Sequence, residues 1–123
     1  MCNRVYICLG ANDADAEKQL NKAFNYLKKL GSVLSSTPVY PTDPEYAGDV
    51  APYMNRIVLM AIDADYSSFV AKTKEYERRI RAKASPGRVA VDIDVVEWNG
   101  EVMRPADAAA RYYKKGLPLL TPA

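Results

Sequence analysis

The run Val91-Asp92-Ile93-Asp94-Val95 carries the sharpest chemical signal in the chain. Its β-branched residues favour a strand, whose period of two puts Asp92 and Asp94 on one face and their apolar neighbours on the other. Two carboxylates about 7 Å apart along one strand are costly to bury unless a cation compensates them. Mg²⁺ takes oxygen ligands, keeps waters, and is held by one or two carboxylates together with substrate phosphates. The pair therefore reads either as a metal site or as outward polar residues on a solvated sheet face.

Just upstream, seven cations (Lys72, Lys74, Arg78, Arg79, Arg81, Lys83 and Arg88) stand against Glu75 and Glu77, a local excess of five. Arg104, Arg111, Lys114 and Lys115 make a second basic cluster. Such groups serve either as a solvated helix end that complements the dipole, or as counter-charges for phosphates. Asn55 sits among apolar residues of another strand. A buried amide there either bonds loop backbone or reads the edge of a heterocycle. Tyr40, Tyr46 and Tyr53 flank a proline-rich loop, as stacking surfaces or as ordinary rim residues. Gly10-Ala11-Asn12 ends a strand with a single glycine, and neither the dinucleotide fingerprint nor a Walker lysine is present. The chain has no histidine. That excludes imidazole bases, His-containing triads and Cys/His zinc sites, and leaves carboxylates, cations, tyrosines and backbone.

The elements that must position these groups follow from patterning. With 123 residues, 49% apolar and 26% charged, residues 1–123 form one domain with one modest core. A net charge of +2 gives no reason to expect a nucleic acid partner. Cys2 and Cys8 are too few for a disulfide scaffold and read as free thiols. No apolar run reaches the roughly 18–20 residues of a membrane span, and no signal-peptide core opens the chain. The expectation is a cytoplasmic protein without a membrane partner, monomeric or weakly dimeric. Strands are predicted at 4–9, 32–39, 53–62 and 88–98, and helices at about 14–30 and 66–82. Asp63 or Asp65 caps the second helix. Asn99-Gly100 is a hairpin signal, and Pro105 opens a short helix that reaches toward Lys115. The order β-α-β-β-α-β predicts an α+β fold, a ferredoxin-like α/β sandwich. It has an antiparallel four-stranded sheet, two main helices on one face and a short C-terminal helix.

The ordered set of motifs resembles the 6-hydroxymethyl-7,8-dihydropterin pyrophosphokinase family. Tyr6-Ile7-Cys8-Leu9-Gly10-Ala11-Asn12 is similar to the family's strand ending in Gly-Ser-Asn. Ser35-Ser36 followed by Tyr40-Pro41-Thr42-Asp43-Pro44 resembles its serine-serine, aromatic-X-threonine-X-proline stretch. Tyr53-Met54-Asn55, Glu77 and Gly87-Arg88-Val89-Ala90-Val91-Asp92-Ile93-Asp94 match further elements, the last with Gly87 in place of the signature proline. Arg111-Tyr112-Tyr113 ahead of Pro118-Leu119 resembles an Arg-Gly-Phe element. The register holds through most of residues 5–96.

The resemblance implies transfer of pyrophosphate from ATP to a pterin alcohol, as in folate biosynthesis, by an ATP-dependent diphosphotransferase. It implies that Asp92 and Asp94 hold two Mg²⁺ ions. It puts the pterin on Thr42, Pro44, Tyr53, Asn55 and Tyr113, and the nucleotide on Glu77, Lys83, Arg88 and Arg111. Arg79, Arg81 and Arg88 would supply catalytic charge. The chain departs from the family pattern in two places. The loop between Arg79 and Arg88 is short and lacks a tryptophan, and a proline-histidine segment after the aspartate strand is missing. Two other readings remain open at this level: a catalytically weak relative that binds a pterin or nucleotide, and a ferredoxin-like protein-interaction domain.

Overall fold

In the computed structural model, residues 2–42 and 52–122 are described. The elements run β1 (Asn3–Ala11), α1 (Ala16–Lys28), β2 (Ser32–Ser36), β3 (Tyr40–Thr42), β4 (Tyr53–Ile62) and α2 (Tyr66–Arg81). Then come β5 (Asp92–Trp98), β6 (Glu101–Val102), α3 (Pro105–Ala109), α4 (Arg111–Gly116), a 3-10 turn at Leu117–Leu119 and β7 (Thr121–Pro122).

The expected four-stranded ferredoxin-like sheet with two main helices is corrected by this architecture. Among the described residues it is an open α+β sheet of seven strands, in the order β6-β5-β1-β4-β2-β7 with β3 also on β4, and it carries four helices. Three local causes account for the difference. Pro38 breaks the expected strand at 32–39 into β2 and β3, because proline has no N–H for the ladder. Thr37 bridges the break, its N–H donating to Ile57 O at 3.0 Å and its Oγ1 accepting from Ile57 N–H at 3.0 Å. Asn99 (φ 51°) and Gly100 (φ 84°) turn β5 back into β6. Ala110, extended at ψ 148°, splits the C-terminal helix into α3 and α4. The expected strand at 88–98 also starts later, at Asp92.

One face of the sheet buries Val5, Ile7, Leu9, Ala11, Val58, Met60, Ile62, Ile93 and Val95 against α1 and α2. α1 contributes Leu20, Ala23, Phe24 and Leu27, spaced for one face of a helix. α2 is capped by Asp65, whose carboxylate accepts from Ser68 N–H at 2.8 Å. The opposite face holds a second, smaller core of Cys8, Tyr40, Ile57, Val96 and Tyr113, covered by the C-terminal elements. Tyr40 fastens that cover by donating its hydroxyl to Tyr112 O at 2.8 Å. Gly116 is required beneath it, since a Cβ there would lie 2.0 Å from the Tyr40 Oη. No helix among the described residues is long and apolar enough to cross a membrane.

Candidate active site

β1 is the middle strand of the site. Its Gly10 lies opposite Asn55 on β4 and opposite Asp92 on β5, and its Cys8 lies opposite Ile57 and Asp94. Neighbouring strands are about 4.8 Å apart, so Asn55 and Asp92 stand roughly 10 Å from each other across Gly10. Glycine leaves that interval open. A Cβ on Gly10 would come to 3.6 Å from the Tyr53 ring and 3.7 Å from Asn55 Oδ1, ordinary contact distances that would fill the floor.

A cleft of about 260 Å³ opens there, floored by Cys8, Gly10, Asp92 and Asp94, with Thr42, Tyr53 and Asn55 at one end. Arg104, Ala106, Asp107, Ala110 and Tyr112, on or beside α3 and α4, form its other wall. Asn55 is buried, and its Nδ2 donates to Thr42 Oγ1 at 2.7 Å and, at longer range, to Tyr40 O at 3.4 Å. The anchoring of Nδ2 fixes the orientation of the amide, so Oδ1 serves as a positioned acceptor for an N–H donor.

The aspartates are held from the opposite side. Among the described residues no strand pairs with the outer edge of β5 at Ile93, and α2 supplies the missing groups. Glu77, itself buried, accepts from Ile93 N–H at 2.5 Å. Lys74 Nζ donates to Ile93 O at 3.0 Å and lies 3.1 Å from Glu77. Two side chains thus replace a neighbouring strand and satisfy an edge that would otherwise be unpaired. Ile93 separates Asp92 from Asp94, so this clamp sets where both carboxylates stand.

Asp94 is 7% exposed. Burial first, then the hydrogen bond and charge of Asp92, push its carboxyl up to about 7. Lys74 Nζ and Arg104 Nε, each 3.6 Å from Asp94 Oδ1, oppose the rise. Two carboxylates held this close call for more positive charge than two half-exposed side chains provide. No group of three or more metal-binding side chains gathers among the described residues, so a closed protein cage is not formed. The donor set instead fits a hard cation held by two carboxylates and completed by ligand oxygens and water. Burial also pushes the Cys8 thiol well above its ordinary range, with Asp94 adding to the rise.

Asp92, Asp94, Thr42, Tyr53 and Asn55, chosen from sequence, therefore line one cleft. The others do not join them. Pro44 lies outside the described residues. Tyr113 is 2% exposed in the second core and donates its hydroxyl to Glu97 Oε1 at 3.1 Å, and its neighbour Tyr112 lines the cleft instead. Glu77 clamps β5, as above. Arg88 is tied to Asn12 O through Nη1 at 3.4 Å, outside the cleft lining. Arg79 lies over the Tyr76 ring at 6.0 Å. Arg81, Lys83 and Arg111 are exposed and line no part of the cleft.

The short loop between Arg79 and Arg88 is fastened to β1's exit. Asp13 Oδ2 accepts from Ser85 N–H at 2.8 Å and Asn12 Oδ1 from Val89 N–H at 2.6 Å. Gly87 takes φ +75°, which proline cannot adopt, so the departure from the signature proline has a backbone cause.

Sequence reasoning missed three cleft residues: Arg104, Asp107 and Tyr112. Arg104 Nε is 2.5 Å from Asp107 Oδ2, and Tyr112 donates its hydroxyl to Asp107 Oδ1. Arg104 did stand in the second basic cluster. What hid its place was a bulge in β5 opposite Tyr6 and Ile7, which puts an extra residue, Val96, on the strand. Both Met103 N–H and Arg104 N–H turn back to Val96 O, at 2.7 and 3.4 Å.

The fold and cleft define a class: a small α+β domain with a cleft on its sheet, acidic at one end and amide-lined at the other. Within that class, the chain belongs to the 7,8-dihydro-6-hydroxymethylpterin-pyrophosphokinase (HPPK) family, whose model matches residues 6–121. It is also similar to "Folic acid synthesis protein FOL1" of Dictyostelium discoideum, at 24% identity over 108 residues. That alignment covers 85% of this chain and 16% of the relative, so the chain spans a small part of the longer protein.

Proposed function

We propose that the chain transfers the β,γ-pyrophosphoryl group of MgATP to 6-hydroxymethyl-7,8-dihydropterin or a similar pterin alcohol, releasing AMP. The observation that supports this is the meeting of Asp92 and Asp94 with Asn55, Thr42 and Tyr53 in one cleft of a pyrophosphokinase-family chain. Asn55 Oδ1 accepts from the pterin's ring N–H groups while Tyr53 and Tyr112 flank the ring. Gly10 leaves the floor free between that ring and the aspartates. The pterin hydroxyl then attacks the β-phosphorus in line. The bond from that phosphorus to the oxygen bridging the α-phosphorus breaks, AMP leaves with that oxygen, and the hydroxyl proton is released to water. Asp92 and Asp94 hold the Mg²⁺ ions, two in the family's scheme, which supply charge neutralisation along the triphosphate when bound. The clamp of Glu77 and Lys74 keeps those carboxylates aligned. Arg79, Arg81, Lys83, Arg88 and Arg111 act through the field they raise around the nucleotide rather than from the cleft wall.

A second reading, a relative that binds pterin or nucleotide with little turnover, is favoured by one observation. None of Arg79, Arg81, Arg88 or Arg111 lines the cleft. An interaction domain has less support: the exposed large apolar residues among those described are Leu34, Val102 and Leu119, isolated in sequence. AMP formation from MgATP and hydroxymethyldihydropterin separates the readings. Pterin-dependent AMP is expected, falling about 100-fold or more in Asp92→Asn and Asp94→Asn. Absence of pterin-dependent AMP at high protein concentration overturns the proposal.

A further inference from the structure

Arg104 is the one cation among the described residues that line the cleft. It stands between two carboxylates, with Nε 2.5 Å from Asp107 Oδ2 and 3.6 Å from Asp94 Oδ1. The first contact is a close charge-assisted hydrogen bond, and the second is an electrostatic contact beyond hydrogen-bond length. The Arg104 side chain is 47% exposed against 9% for Asp94, so its guanidinium reaches the buried carboxylate from the solvent side. Nε makes its one hydrogen bond, and neither Nη group bonds a described residue.

We propose that Arg104 is a phosphate-contacting residue that Asp94 holds in reserve, and that a divalent cation on Asp92 and Asp94 releases it. The proposal rests on the metal role given to those aspartates above. The physical basis is an exchange of counter-charges. Without a metal, Asp94 draws on Lys74 and Arg104. Once its charge is satisfied by a divalent cation, the attraction that Arg104 feels there turns to repulsion. Asp107 keeps the arginine in the cleft wall, because it is itself fixed by the Tyr112 hydroxyl. Arg104 then pivots on its Nε bond and presents two unengaged Nη groups, whose planar fork matches a phosphate. A single side chain serves as counter-ion to the empty site and then to the incoming ligand. The arginines expected from sequence to meet phosphate lie elsewhere, which leaves this role to Arg104.

The test is a pair of titrations on the whole chain: Mn²⁺ alone, followed by electron paramagnetic resonance, and then a non-hydrolysable ATP analogue at saturating Mn²⁺. Arg104→Gln is expected to bind Mn²⁺ about threefold to tenfold more tightly, because a half-exposed competing ion pair is gone. The same variant is expected to bind the nucleotide analogue about tenfold more weakly, having lost a charged contact. Arg104→Lys, which keeps the charge without the fork, falls between on both measures. A merely structural residue would weaken both. Mn²⁺ binding no tighter than in the parent, or nucleotide binding no weaker, overturns the proposal. Asp107→Asn gives an independent check. With its anchor gone, Arg104 moves onto Asp94 and Mn²⁺ binding weakens about threefold, and unchanged or tighter binding contradicts the proposal. The underlying metal reading fails separately, if the parent chain binds no Mn²⁺ or Asp94→Asn leaves its binding unchanged.

Discussion

Replacing Glu77 by alanine should loosen the strand that carries both aspartates, and the size of the effect follows from its contacts. Glu77 is 6% exposed and accepts from Ile93 N–H at 2.5 Å. Alanine leaves that N–H buried without an acceptor, which costs about 1–3 kcal/mol. The Lys74–Glu77 ion pair adds no more than about 1 kcal/mol, because the Lys74 side chain is 39% exposed and screened by solvent. The sum is about 1–4 kcal/mol, or roughly 4–16 °C in Tm for a domain of this size. Glu77→Gln keeps an acceptor oxygen for Ile93 and should lose only about 1 kcal/mol. Urea unfolding followed by fluorescence measures this directly. Trp98 is the single tryptophan and packs on Tyr66 and Phe69, with ring centroids at 5.4 and 6.1 Å. Because Ile93 separates the two aspartates, Mn²⁺ affinity should fall in the alanine variant as well. An alanine variant within about 0.5 kcal/mol of the parent would refute the clamp and free Glu77 for a role toward ligand.

Three further outcomes follow from the same geometry. Gly10→Ala should fold with stability within about 0.5 kcal/mol of the parent, since its Cβ meets Tyr53 at 3.6 Å. Pterin binding should nevertheless fall at least about tenfold by calorimetric titration, because the methyl occupies the cleft floor. Gly116→Ala should cost about 1–3 kcal/mol in urea unfolding, because its Cβ would lie 2.0 Å from the Tyr40 Oη and displace the bond to Tyr112. The third outcome concerns pH. Asp94 titrates near 7 in the folded chain against an ordinary 3.8, so between those values the folded state keeps a proton that the unfolded state has lost. Stability of the metal-free protein must then fall as pH rises through that window, and Mg²⁺ should restore part of it near neutrality. Thermal melts across pH should show this fall in the parent, and Asp94→Asn should flatten it.

Much of the site was legible because a strand's period is local. Alternation alone put Asp92 with Asp94, and Asn55 with Ile57, on the face that became the cleft. The same counting fails once a strand carries a bulge. Val96 is the extra residue in β5, so Trp98 turns to the α1–α2 side against Phe69 while Glu97 turns toward Tyr113. Nothing in the local composition marks that shift, which comes from pairing with β1. The burial of Tyr113 beside a cleft-lining Tyr112 was hidden for a related reason. The phase of a two-turn helix depends on the extended Ala110 before it, and adjacent residues on a helix point about 100° apart. The seven-stranded sheet was missed because β3 and β7 span only three and two residues and exist through their partners, whereas the hairpin into β6 was signalled by Asn99-Gly100. The roles of Glu77 and Arg88 were out of reach because their partners, Ile93 and Asn12, lie 16 and 76 residues away.

The proposed reaction moves two phosphoryl groups together rather than one. Phosphorus-31 nuclear magnetic resonance of the whole chain incubated with MgATP and hydroxymethyldihydropterin tests it most directly. AMP and a pterin diphosphate are expected in equal amounts, with no ADP, and their signals should vanish in Asp92→Asn. ADP with a pterin monophosphate, or ATP left intact in the presence of the pterin, would contradict it.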